Sequence, residues 1–74
     1  MSDRWRVVPG THGYVAVDAA GGRYTPAALA RDLLTRRVEV RCYPPDSAAQ
    51  VACRTEMSRL RALLDAIRAQ EARL

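Results

Sequence analysis

The spacing of apolar residues changes period several times along this chain, and each change marks a new element. Trp5 and Val7 alternate with Arg4 and Arg6, then Pro9-Gly10-Thr11-His12-Gly13 interrupts with turn-forming residues before a second apolar run, Tyr14 to Val17. That pattern predicts two antiparallel strands joined by a five-residue loop, with Trp5 and Val7 inward and the arginines outward. A second turn follows at Asp18–Gly22, where either glycine can take positive φ, leaving room for a short third strand at Arg23 and Tyr24.

Thr25-Pro26 signals a helix start: the Thr hydroxyl can accept orphan backbone N–H groups, and Pro is preorganised at the first helical position. The helix is expected to run to about Arg37, with Leu29, Ala30, Leu33 and Leu34 on its inner face. Val38-Glu39-Val40-Arg41-Cys42-Tyr43 then alternates strictly, which predicts a half-buried strand with Glu39, Arg41 and Tyr43 outward. Pro44-Pro45 ends it, and Asp46 or Ser47 can cap a final helix reaching about Arg73.

That last helix carries a row at alternating spacings of four and three: Cys53, Met57, Leu60, Leu64, Ile67, Glu71 and Leu74, with Glu71 its one charged member. A seam of this kind usually meets another helix. Roughly 27 residues at 1.5 Å rise span ~40 Å, more than the ~30 Å diameter of a compact chain of this size. The reading is a single α+β domain over 1–74, in the order β-β-α-β-α, with a short, mainly antiparallel sheet. Residues 1–45 form its ββαβ part and 46–74 an association helix, with Met57, Leu60, Leu64 and Ile67 at the interface of a homodimer. A core this small supplies only ~3–5 kcal/mol, which makes association the more expected.

Composition adds less. The net charge is +4, and all twelve basic residues are Arg. Guanidinium suits bidentate contact with phosphate or carboxylate, but twelve Arg beside thirteen Ala are also the signature of a GC-rich bacterial or phage genome. Two cysteines, Cys42 and Cys53, lack paired-motif spacing and read as reduced, small core hydrophobes. No apolar run approaches the ~20 residues that cross a bilayer, so a soluble, cytoplasmic chain away from the membrane is expected.

Catalytic chemistry finds few residues. The single His, His12, lies in a Gly-containing turn beside Thr11, and His12, Cys42 and Cys53 lack the spacing and fourth ligand of a zinc site. No enzyme activity, cofactor, metal or small-molecule substrate is expected. Two functions remain: a small regulatory or inhibitory module that occupies a partner protein's surface, or an Arg-dependent nucleic-acid-binding regulator. The second would use Arg4, Arg6, Arg41 and Tyr43 on the outer face of the sheet for phosphate contact and stacking.

Overall fold

The structure, a computed structural model, describes residues 5–73. Strand β1 (Trp5–Gly10) pairs antiparallel with β2 (Gly13–Asp18), and β2 pairs with the two-residue β3 (Arg23–Tyr24), giving the sheet order β1-β2-β3. Two helices follow, α1 (Pro26–Glu39) and α2 (Ala48–Ala72). The class is α+β, with a short antiparallel sheet and a long C-terminal helix.

The first hairpin is tighter than its turn residues imply. Gly10 pairs with Gly13, so only Thr11 and His12 form the loop and Pro9 is drawn into the ladder opposite Tyr14. Pro9 is tolerated because β1 is an edge strand, where a missing N–H can face away from the sheet. In the second turn Gly21 takes φ +88°, while a Cβ on Gly22 would lie 2.8 Å from Asp18 Oδ2. Asp18 itself closes this turn: its Oδ1 accepts from the N–H groups of Ala20 and Gly22 at 3.0 and 2.8 Å.

Both helices start as their caps dictate. The Thr25 hydroxyl accepts from Ala28 N–H with Pro26 opening α1, and Ser47 accepts from Gln50 N–H to open α2.

The expected strand over 38–43 does not form. Val38 and Glu39 continue α1, Val40 caps it, and Arg41 and Cys42 donate backbone N–H groups back to Val38 and Glu39. A short alternating run is equally a helix end, and here the Arg36 guanidinium holds both Glu39 oxygens at 2.9 and 3.0 Å, a pairing available only at helical spacing. The third strand is Arg23–Tyr24 instead, so the order is β-β-β-α-α.

The core is one cluster of Ala16, Leu29, Leu60, Leu63, Leu64 and Ile67, with Trp5, Val7, Tyr14, Tyr24 and Leu33 packed around it. The second half of α2 covers the sheet, while its first half pairs antiparallel with α1. Gln50 ties that far end: its Oε1 accepts from Asp46 N–H at 2.9 Å and its Nε2 donates to Val40 O at 3.4 Å. Because this part of the helical hairpin extends past the sheet, the molecule is elongated, 42 × 25 × 19 Å.

Candidate functional site

The heptad seam of α2 is spent inside the chain. Leu60 and Ile67 have no exposed surface, Leu64 is 6 % exposed and Met57 is half-buried. An interface centred on Leu60, Leu64 and Ile67 would have to open the core, so these residues are the core of one chain rather than a surface between two. Cys53 is buried at the same seam, its thiol 3.4 Å from Arg36 O. Leu74 lies outside the described residues.

The four arginine and tyrosine positions expected on one sheet face are not brought together. Arg4 lies outside the described residues, and Arg6 is exposed on β1 beside Trp5, Val17 and Asp18. Arg41 is exposed in the turn after α1, and Tyr43 lies half-buried further along the same turn. The loss of the 38–43 strand separates them: only β1 and its neighbours belong to the sheet. Tyr43 instead lines a groove of about 280 Å³ between the helices, with Arg36, Glu39, Ala52 and Glu56.

That groove marks the neutralised side of the helical hairpin. Arg36 sits 3.9 Å from Asp32 and 2.9 Å from Glu39, and Arg59 grips Glu56 at 2.7 and 2.9 Å. The Arg59 guanidinium also lies 5.4 Å from the centroid of the Tyr24 ring, joining α2 to β3 by a cation–π contact. The hydrogen bond from Arg59 holds Glu56 below the usual carboxylate range, and Glu39, above all, holds Arg36 more firmly protonated. Among the described residues, ion pairs are confined to this side.

On the opposite surfaces lie cations that pair with no carboxylate among the described residues. Arg54, Arg61 and Arg68 recur every seven residues on α2, all exposed, and Asp65 reaches none of them within ion-pairing distance. Arg54 and Arg61 flank Met57 and Ser58 in a shallow depression of about 290 Å³. On α1 the exposed cations are Arg31 and Arg37, with Arg41 just beyond its end.

Beside them stands an apolar stripe that the residue pattern alone does not single out. Leu34 is 62 % and Val38 66 % exposed, and Ala27 and Ala30 continue their line toward the helix start. The helical pattern alone places Leu34 on the inner face, and the alternation over 38–43 places Val38 on the inner face of a strand; the structure puts both outside. The spacing 27, 30, 34, 38 is itself helical and distinct from the inner line of Leu29 and Leu33, so α1 carries two apolar stripes. Only one of them has a partner inside the chain.

A further cavity, about 510 Å³, lies between the first hairpin and the start of α1, with His12, Tyr14, Arg23, Thr25 and Pro26 among its walls. Its walls hold no carboxylate, although Glu71 Oε2 comes within 3.5 Å of the place a Cβ on Gly13, the neighbour of His12, would take. Among the described residues no three His, Cys, Asp or Glu side chains gather as metal ligands, and no helix is long and apolar enough to cross a membrane. No protein-family model, curated protein or solved structure matches the chain.

Proposed function

We propose that this protein is a small, non-enzymatic regulatory or inhibitory module that acts in the cytoplasm by occupying the surface of a partner protein through its helical hairpin. The observation that carries the reading is the exposed pair Leu34 and Val38, one turn apart on the face of α1 turned away from the core. Single exposed apolar residues are ordinary, but an ordered stripe bordered by charge is the usual form of a recognition face. Homodimerisation through the α2 seam is no part of this proposal, because the fold uses those side chains internally.

A second reading has its own support. The row Arg54, Arg61 and Arg68 offers guanidinium groups that no carboxylate among the described residues pairs with, which suits them to phosphate. Affinity capture from a lysate of the source cell, with and without nuclease, separates the two. A specific protein retained after nuclease treatment, and released by substitution of Leu34, supports the first. Capture that nuclease abolishes, with salt-sensitive binding of duplex DNA, replaces it with the second.

A further inference from the structure

The charges of the helical hairpin are sorted between its surfaces. α1 has two acidic residues, Asp32 and Glu39, and both turn toward Arg36. Its remaining exposed cations, Arg31 and Arg37, together with Arg41 after its end, border the stripe Ala27, Ala30, Leu34 and Val38 without an acid among them. At 3.6 residues per turn Arg31 falls between Ala27 and Leu34, and in the turn after α1 the Arg41 N–H donates to Val38 O at 3.2 Å. The result is a helix face that is apolar along its middle and positive along its borders.

We infer that this outer face of α1 docks an acidic amphipathic helix of a partner protein, a reading that rests on the protein-interaction role proposed above. The apolar positions recur at i, i+3, i+7 and i+11, the anchor spacing by which helices recognise one another, so an apolar ridge on the partner can lie along them. Carboxylates flanking that ridge meet Arg31, Arg37 and Arg41, whose planar donors bind carboxylate bidentately.

Charge disfavours the same face of a second copy as the occupant. Pairing α1 with its equal sets these cations against one another, with no α1 carboxylate free to offset them. Nucleic acid fits the cations, but its contacts are made mostly to phosphate and sugar, whereas an apolar line running along α1 is matched along its length by the apolar ridge of a helix. The stripe consists of four side chains, two of them alanines, so the contact is small and the complex is expected to be weak and transient.

Selection of peptides about 16 residues long from a random displayed library, with the full chain as bait, tests the inference. The enriched peptides are expected to be acidic, with apolar residues at helical spacing. A synthetic copy of one should bind the Leu34→Ala/Val38→Ala variant at least about tenfold more weakly. Both changes are at exposed helical sites and Ala favours helix, so circular dichroism should show the variant folded. The Arg54→Gln/Arg61→Gln variant should bind unchanged. Peptides without acidic enrichment, or acidic peptides indifferent to Leu34 and Val38, overturn the inference while leaving a protein partner at another face. A library yielding no binder, together with salt-sensitive capture of a 20-base-pair duplex, overturns both.

Discussion

The Tyr24 hydroxyl donates to Asp18 Oδ2 at 2.7 Å, while the other carboxylate oxygen accepts two backbone N–H groups of the β2–β3 turn. Chiefly through the Tyr24 bond, and next through Gly22 N–H, Asp18 is held below its ordinary value of 3.8. Glu56, gripped by Arg59, is likewise held below its ordinary value of 4.5. Both carboxylates therefore bind a proton more weakly folded than unfolded. Their contribution to stability is fully present above the ordinary carboxylate range and is lost as pH falls through the lowered folded values. Urea unfolding across the acid range should show the midpoint dropping there, and Asp18→Asn should flatten part of that drop. An acid limb identical in Asp18→Asn and the parent chain would refute the assignment.

Leu60 and Ile67 make a sharper test of where the helix seam is used. Each is fully buried within one chain, so Leu60→Ala or Ile67→Ala should cost ~2–5 kcal/mol, comparable to the whole stability of a domain this small. The unfolding midpoint of the parent chain should not move over about a hundredfold range of protein concentration, as it must when subunit association contributes. A midpoint that rises with concentration would show that the seam joins chains.

Much of this architecture is legible in the sequence because local signals agree with the fold. Thr25-Pro26 and Ser47 open helices where they should, and the spacing of Cys53, Leu60, Leu64 and Ile67 reports one continuous buried line. What periodicity does not reveal is what covers that line. A heptad row facing its own sheet and α1 reads like a row facing a second chain, and only the route of the backbone decides. Val38 to Tyr43 misleads for a different reason: β-branched alternation favours a strand, but with helical Arg36 upstream, Glu39 closes an ion pair that continues the helix. That one change of element also moved Arg41 and Tyr43 off the sheet and left Val38 on an outer helix face.

Gln50 is the one polar side chain buried at the free end of the helical hairpin, and it bonds both limbs of the 40–47 connection. Gln50→Leu keeps much of the volume but removes the partners of the Asp46 N–H and the Val40 carbonyl, at a cost of about 0.5–1.5 kcal/mol, since both groups remain within reach of water. Asp46 sits at φ +61°, a left-handed conformation that this bond helps to hold. Hydrogen exchange should therefore accelerate first at residues 40–47 and at the start of α2, with the sheet amides little changed. Uniform acceleration across the chain would mean that Gln50 supports the fold as a whole rather than this end.

Val38 allows the helix, the lost strand and the docking face to be tested by one substitution with opposed signs. In an exposed helical position a β-branched side chain loses rotamer freedom, so Val38→Ala should stabilise the chain by about 0.5 kcal/mol. On the inner face of a strand the same change would remove a packed side chain and destabilise by a comparable or larger amount. The stabilised variant should nevertheless bind its partner more weakly, because the removed methyl groups belong to the exposed stripe rather than to the core. Thermal unfolding and partner titration of this single variant measure the two effects. A loss of stability would argue against the helical assignment, and unchanged binding would remove Val38 from the contact.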